Sequence, residues 1–215
     1  MISEKLFQGY DEKFISNQTV PLPKLSQEQS NDLVSDNDGN KVIKYINYSL
    51  QQSASHKFPF YTATNIDGIQ FKKVPRKDNW RKDTRLSKEF QMGKELYSAS
   101  KSGFDKGHMT KREDVQWGET PGIALNAANS TFFYTNAVPQ HKDLNRDIWR
   151  SLEDYILHTE TKRNELRICV FTGPVLSSSN PYFVVALSSR ILFVVNSLRN
   201  IMQSLLRTLN LILMR

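Results

Sequence analysis

The sequence of 215 residues predicts one α+β domain with a mixed or antiparallel sheet. Apolar and polar residues alternate along stretches between residues 42 and 74, which is typical of strands. Apolar residues then recur at helical spacing from Asp143 to about Lys162, and the run from Leu166 to Thr172 has the composition of a buried strand. With 39% hydrophobic residues the chain can bury one core, and its length does not require a second domain.

The first half of the chain is predicted to be mostly strand. Val42–Tyr48, Phe58–Ala63 and Ile69–Val74 are candidate strands, and the Asp67-Gly68 turn between the last two indicates a meander. Ahead of them, residues 1–40 are expected to form an N-terminal extension and loop. Within this region, residues 26–40 are polar and rich in Ser, Asn, Asp and Gln, with room for one weak helical turn.

The helix predicted from Asp143 to about Lys162 carries two polar residues on related faces. Its apolar residues lie three and four apart, which makes the helix amphipathic. Asn145 and Glu153 are eight positions apart, so at about 100° per residue they fall within roughly 80° of each other on the helix surface. Both side chains can therefore point at one site.

Residues 183–215 are predicted to form an atypical apolar helical tail. From Val184 onward the tail contains no Gly, Lys, Asp or Glu, and its apolar residues keep helical spacing. Arg199 and Arg207 interrupt it, so no membrane span is expected. A protein anchored to a membrane by this tail is a weaker interpretation.

Cysteine usage and the first residues bear on the compartment. Cys169 is the only cysteine, which excludes an intrachain disulfide. The first residues lack the basic-then-apolar pattern of a secretory signal, so a cytoplasmic location is the default expectation.

Positive charge is concentrated in one window of the chain. The net charge is +7, whereas residues 72–112 alone hold 13 Lys or Arg against 5 Asp or Glu, which gives +8. Such a charge run is by itself more often a solvated face than a binding site. Where a run of this kind adjoins residues that can do acid–base or metal chemistry, it favours phosphate binding, because each neutralised phosphate releases condensed counterion.

Two polar blocks carry the candidate chemistry. The first is Asp105-Lys106-Gly107-His108, and the second runs from Thr135-Asn136 through Pro139-Gln140 to Asn145 and Glu153. A histidine that is neutral at pH 7 can take a proton from water, and amide and carboxylate oxygens suit a hydrated divalent ion. Each residue alone has a plainer interpretation: a structural histidine in a turn, a helix-start asparagine, a charge on a helix surface.

Together these blocks resemble the DNA/RNA non-specific endonuclease family, the ββα-metal (His-Me finger) nucleases that include endonuclease G. The resemblance extends from about Tyr10, through Thr62–Gly68 and Phe171–Val175, to about Tyr182. It implies a ββα-metal motif inside the α+β fold and an endonuclease domain over residues 41–182, expected to be truncated where the tail departs from the family pattern.

The resemblance also implies a role for each site residue. His108 is the expected general base, and Asn145 the one protein ligand of Mg²⁺, with Mn²⁺ as an alternative. Glu153 is expected to hydrogen-bond the metal's waters, Asn136 to orient the strand–helix connection, and Arg76 to stabilise the transition state. Arg81 and Arg85 are close enough to Arg76 to blur that match, and with Lys106 they are expected to bind substrate. Lys106 stands where many members carry arginine, which keeps the charge but loses the guanidinium fork.

The expected activity is metal-dependent hydrolysis of DNA and RNA without strict sequence specificity. The alternative is a catalytically impaired remnant that still binds nucleic acid, since a loosened site loses rate steeply. The resemblance further implies a possible homodimer, and many relatives are exported, which leaves the compartment open.

Overall fold

The computed structural model describes residues 7–98, 104–175, 182–183 and 192–193. Six of its strands are β1 Ile43–Lys44, β2 Tyr48–Gln52, β3 Pro59–Asp67, β4 Phe104–His108, β5 Ala137–His141 and β6 Arg167–Thr172. Four of them form the main antiparallel sheet, in the order β1-β2-β3-β6. The other two, β4 and β5, form a separate antiparallel ribbon.

Four helices complete the described part of the fold. The longest, α4, is continuous through three segments: a π-helical one at Leu144–Ile148, an α-helical one at Trp149–Asp154 and a second π-helical one at Tyr155–Lys162. This matches the predicted extent of the amphipathic helix, and π-helical turns are frequent at functional sites. The other helices are α1 Gln27–Asn31, α2 Lys94–Tyr97 and α3 Pro121–Ser130, with 3₁₀ turns at Lys88–Phe90 and Tyr134–Asn136.

The candidate strand Val42–Tyr48 is divided in two by a turn. Asn47 has a φ of 69°, a left-handed conformation that asparagine tolerates better than most residues. The turn brings the rings of Tyr45 and Tyr48 into a stack with centroids 4.6 Å apart, and both side chains are fully buried. They form the centre of the main apolar core, together with Ile43, Leu50, Val115 and Ala127.

The N-terminal segment packs against the main sheet. Tyr10 and Phe14 are buried, the Gly9 amide donates to the Tyr45 carbonyl, and the Tyr10 amide donates to Ser49 Oγ. Gly9 has a φ of 81°, and a Cβ there would lie 2.4 Å from Ser49 Oγ. The weak helical turn expected in residues 26–40 is α1, whose N-terminal Ser26 and Gln29 form a capping box.

Ile69–Val74 was expected to be a strand of the meander, and that prediction is wrong. The Asp67 carboxylate accepts hydrogen bonds from the Ile69 and Gln70 amides, which turns the chain away from β3. After that turn, residues 69–74 form no ladder of hydrogen bonds with the described strands of the sheet. Phe71 makes one isolated bridge with Trp117. The neighbour of β3 is instead β6, in register from Thr62↔Thr172 to Asp67↔Arg167.

Helix α3 lies close to the core because its inner face is made of small residues. Thr120 caps its N-terminus by accepting from the Ile123 amide, and Pro121 occupies the first turn, where a missing N–H costs nothing. Ala124, Ala127 and Ala128 are fully buried on the inner face.

The described residues of the tail differ from the expected helix. Tyr182–Phe183 and Leu192–Phe193 form a short antiparallel pair, β7 and β8. Short apolar runs rich in β-branched and aromatic residues fit strands as well as helices, so spacing alone could not decide. The rest of the predicted helix lies outside the described residues. Among the residues that are described, no helix has the length and apolar character needed to cross a membrane.

Tyr45 gives a test of the core. Its hydroxyl donates to Asp83 Oδ2 at 2.7 Å and lies 2.7 Å from Thr135 Oγ1, all three residues being buried. Tyr45→Phe removes these bonds and is expected to lower the free energy of unfolding by about 1–3 kcal/mol, measured by urea denaturation. Tyr155→Phe, at a side chain 50% exposed, is the control and should stay within about 0.5 kcal/mol. Equal effects of the two changes would contradict the assignment.

Candidate active site

A polar cleft of about 650 Å³ lies between the β4–β5 ribbon and α4. Asp105, Lys106 and His108 line it from β4, and Asn145 and Glu153 line it from α4. Arg76 lines it from the segment that precedes α2. The structure therefore brings five of the eight predicted site residues to one cleft: Lys106, His108, Asn145, Glu153 and Arg76.

His108 is the last residue of β4, and its ring lies against aromatic side chains. The ring centroid is 4.6 Å from that of Trp80 and 5.3 Å from that of Phe132. Its Nε2 is buried and has no hydrogen-bond partner among the described residues. Burial, reinforced by the positive charge of Arg76, lowers the pKa of His108 to about 3. The imidazole is therefore neutral throughout the physiological pH range.

Gly107 is required by its neighbour on β5. A Cβ at this position would lie 2.4 Å from the side-chain oxygen of Gln140, which packs over the backbone there. Side chains alternate along a strand, so Lys106 and His108 project from the face opposite to Gly107. The glycine thus allows the two strands of the ribbon to pack closely behind the histidine.

Asn136 holds the backbone that follows His108. Its side-chain oxygen accepts from the Thr110 amide at 2.8 Å, and its side-chain nitrogen donates to the carbonyls of Thr110 and Thr131 at 2.9 and 3.1 Å. The Asn136 carbonyl also accepts from the Met109 amide. Asn136 is fully buried and does not line the cleft, so its place is that of a positioning residue.

Asn145 is oriented by Asp105. The Asn145 side-chain nitrogen donates to Asp105 Oδ2 at 3.1 Å, and because a carboxylate only accepts, the amide oxygen is turned to the other side. The Arg146 guanidinium donates two hydrogen bonds of 2.7 Å to the same carboxylate, and this contact holds the pKa of Asp105 below its ordinary value. An ionised Asp105 therefore fixes which atom Asn145 can offer to a ligand.

Glu153 lies in a cluster of carboxylates. It accepts from the Trp149 indole N–H at 2.8 Å. Burial, with the charge of Asp114 nearby, raises the pKa of Glu153 to about 8, and burial likewise raises the pKa of Asp114 to about 7. Lys111 contacts the neighbouring Asp154 and compensates part of this negative charge. An additional cation would be favoured here.

Arg76 is an exposed arginine whose charge acts on His108. Its side chain is 61% exposed, and its guanidinium makes a two-point contact with Asp78 at 2.7 and 3.1 Å. The guanidinium also lies 5.9 Å from the centroid of the Phe132 ring that packs on His108. A substrate phosphate in the cleft can replace the exposed Asp78 carboxylate as its partner.

Arg81 and Arg85, expected to bind substrate, lie outside the cleft. The Arg81 guanidinium stacks 3.9 Å from the centroid of the Phe133 ring and donates to the Asn129 carbonyl. Arg85 pairs at 2.7 Å with Asp83, whose side chain is 2% exposed. A buried carboxylate needs a compensating cation, which is the physical reason for the place of Arg85.

Several charged residues of the cleft were not identified from the sequence. Lys111, Arg112, Glu113, Arg150 and Asp154 line it, and His158 lies 3.6 Å from Glu113. Glu113, Asp154 and His158 offer ligand atoms within 4.8 Å of one another, although Lys111 already contacts both carboxylates. The basic window of residues 72–112 contained a signal for Lys111 and Arg112, but charge density alone did not single them out.

Comparison with known proteins identifies the family of this site. The model of the DNA/RNA non-specific endonuclease family matches residues 27–208, which continues past residue 182, where the recognisable motifs end. An uncharacterized protein of Sinorhizobium fredii is 33% identical over 185 residues, covering 80% of this chain and 27% of that protein. A nuclease of Nostoc is 29% identical over 178 residues, covering 78% of this chain and 61% of the nuclease. The chain thus spans less than two thirds of either relative.

Comparison with solved structures also points to an endonuclease fold. The crystal structure of the EndoG/EndoGI complex contains a chain that superposes with a TM-score of 0.57 at 19% identity, covering 72% of this chain and 64% of that one. This likeness confirms the predicted α+β fold of the ββα-metal nucleases.

The charge next to His108 gives a testable prediction. Arg76→Gln removes the cation that contributes most, after burial, to the low pKa of His108, so the pKa should rise. The measurement is an NMR titration of the His108 ring protons. Arg146→Gln removes another arginine of the cleft wall and serves as the control, with no rise expected. A His108 ring that titrates near 6.5 in the unmodified protein would contradict the burial described here.

Proposed function

This chain belongs to the DNA/RNA non-specific endonuclease family, and we propose that it hydrolyses phosphodiester bonds of DNA and RNA with one divalent cation. The observation that carries the proposal is one cleft lined by His108 of β4, by Asn145 and Glu153 of α4, and by arginine and lysine side chains. Hydrolysis of a phosphodiester needs a base that activates water, and positive charge that stabilises both the transition state and the leaving 3′-oxygen. The cleft contains a residue suited to each.

The residues present fit a hydrated Mg²⁺ or Mn²⁺. Asn145 offers an amide oxygen because its side-chain nitrogen donates a hydrogen bond to Asp105. Glu153 offers a carboxyl group whose pKa is raised, so a nearby cation would favour its ionised form. Mg²⁺ prefers oxygen ligands and retains several waters, so one protein ligand with ordered residues around it is sufficient. Bound there, the ion would supply Lewis-acid stabilisation of phosphate charge. Glu153 would orient the waters by accepting their hydrogen bonds.

His108 is the proposed general base. Its neutral ring is ready to accept a proton from water at neutral pH, and its ring orientation is fixed by Trp80 and Phe132. A pKa of about 3 makes it a weak base on its own. The negative charge of a substrate phosphate beside Arg76 and Lys106 opposes the positive charges that depress the pKa, so substrate binding raises basicity where it is needed.

Arg76 is the proposed stabiliser of the transition state. Its guanidinium is exposed and already adopts a two-point contact with a carboxylate, the geometry that also suits two phosphate oxygens. Lys106 adds a point charge; its ammonium lies 5.8 Å from the centroid of the Trp80 ring.

Binding without strict sequence preference follows from the kind of groups in the cleft. The basic residues contact phosphates, which carry no sequence information. Both DNA and RNA are proposed substrates, as in the description of the matching family. A homodimer remains a prediction of the family resemblance, to be measured by analytical ultracentrifugation.

One observation favours the alternative of an impaired nucleic-acid-binding remnant. The Nε2 atom of His108 is buried, finds no partner in the part of the chain that the structure describes, and in that position has no direct access to water. A remnant would keep the basic cleft, and with it salt-sensitive binding, while lacking hydrolysis.

Cleavage of supercoiled plasmid tests the proposal. Nicking should require Mg²⁺ or Mn²⁺, stop on addition of a chelator, and fall by at least about a hundredfold in His108→Ala, since a positioned general base contributes 10²–10⁴-fold. His158→Ala, a histidine at the margin of the cleft, is the matched control and should retain nicking. Plasmid binding, measured as a function of salt, should persist in both variants.

Two outcomes would contradict the proposal. Undiminished nicking by His108→Ala would remove the assigned base. Salt-sensitive plasmid binding with no nicking in any divalent cation would favour the remnant.

A further inference from the structure

Arg76 lies in an irregular segment that few hydrogen bonds attach to the rest of the protein. Residues 72–80 form neither helix nor strand, and residues 75–79 are exposed. At the start of this stretch, the Lys72 amide donates to the Gln116 carbonyl at 2.7 Å, and the preceding residue, Phe71, makes a bridge with Trp117. The segment carrying Arg76 is therefore held against residues 112–117, which follow His108 along the chain.

Arg112 makes the last of these attachments before Arg76. Its Nη2 donates to the carbonyls of Val74 and Pro75, at 3.3 and 2.5 Å. Its Nη1 lies 2.5 Å from the Gln116 side-chain oxygen when that amide is turned so that its nitrogen donates to the Lys72 carbonyl. Arg112 is only 6% exposed, so these bonds form in a site where an unsatisfied guanidinium would be costly.

The hydrogen bonds of Arg112 connect the segment that carries His108 with the segment that carries Arg76. Arg112 is four residues beyond His108, and the two carbonyls that it holds are those immediately before Arg76. Asn136 fixes the backbone between His108 and Arg112 through Thr110. We infer that Arg112 is a positioning residue that holds Arg76 beside His108; this inference rests on the proposed function of that site.

A simpler role for Arg112 would be its charge alone. Arg112 lines the cleft and could attract phosphate without affecting Arg76. The two roles differ in what a lysine can replace. Lysine keeps the charge, but its single ammonium cannot reproduce a planar fork that spans two carbonyls and an amide oxygen.

A double-mutant cycle separates the two roles. Nicking rates are measured for the unmodified protein, Arg112→Lys, Arg76→Gln and the double variant. If Arg112 acts through Arg76, Arg112→Lys lowers the rate about tenfold when Arg76 is present, because a displacement of about 1 Å at such a site is costly, and changes it less than about twofold in the Arg76→Gln background. Equal fold-losses in both backgrounds, or no loss in either, would overturn the inference.

A second readout does not depend on activity. The Nε–H resonance of Arg76, assigned by its disappearance in Arg76→Gln, reports the contact with Asp78 Oδ1 at 2.7 Å. It should shift in Arg112→Lys. In Arg167→Lys, whose guanidinium instead lies 3.3 Å from Asp67 and 4.0 Å from the centroid of the Phe14 ring, it should not move. An unshifted resonance in folded Arg112→Lys would overturn the inference.

A variant that does not fold, and a protein that does not nick plasmid, can each be distinguished from a failure of the inference about Arg112. If Arg112→Lys does not fold, Gln116→Leu loosens Arg112 from its other side and should shift the Arg76 resonance in the same way; no shift would count against the inference. If the unmodified protein does not nick plasmid, the proposed function fails, while the resonance of Arg76 still decides whether Arg112 positions it.

Discussion

The candidate site depends on one buried amide. Asn136 lies where the β4–β5 ribbon meets the end of α3, and its side chain satisfies both backbone groups of Thr110 and the carbonyl of Thr131. Leaving such groups unpaired in the interior costs about 1–3 kcal/mol each, so an asparagine here strongly favours one course of the chain after His108. The direction of the His108 ring, and the approach of Arg112 to the segment of Arg76, both follow from that course.

Electrostatics divides the cleft into two walls. Arg76, Lys106 and Arg112 make the side around His108 positive, and this charge together with burial keeps the imidazole neutral. On the α4 side, burial raises the pKa of Glu153 to about 8 and that of Asp114 to about 7, so neither carboxyl group is fully ionised at neutral pH, and Lys111 pairs with Asp154. A phosphodiester would compensate the positive charge of the first wall, and a divalent cation would favour ionisation of the carboxyl groups in the second. The two walls therefore favour ligands of opposite charge.

The sequence was most informative where chemistry and spacing coincide. Helical spacing placed Asn145 and Glu153 on one face of α4, whereas His108 was named from the Asp105–His108 motif and the family resemblance without β4 being predicted, and the cleft brings all three together. The strand predicted at Ile69–Val74 failed because the Asp67 side chain captures the next two amides, a local competition that alternation does not reveal. Arg81 and Arg85 could not be separated from Arg76 by sequence, because their partners, Asn129 and Lys44, are distant in the chain.

The most direct measurement of the central claim is anomalous diffraction from crystals grown with Mn²⁺. The account predicts one strong peak within bonding distance of the side-chain oxygen of Asn145, which would hold the ion, with Glu153 close enough to accept hydrogen bonds from the ion's waters. A peak bound instead by Glu113, Asp154 and His158, whose ligand atoms lie within 4.8 Å of one another, would contradict the one-metal site assigned to Asn145.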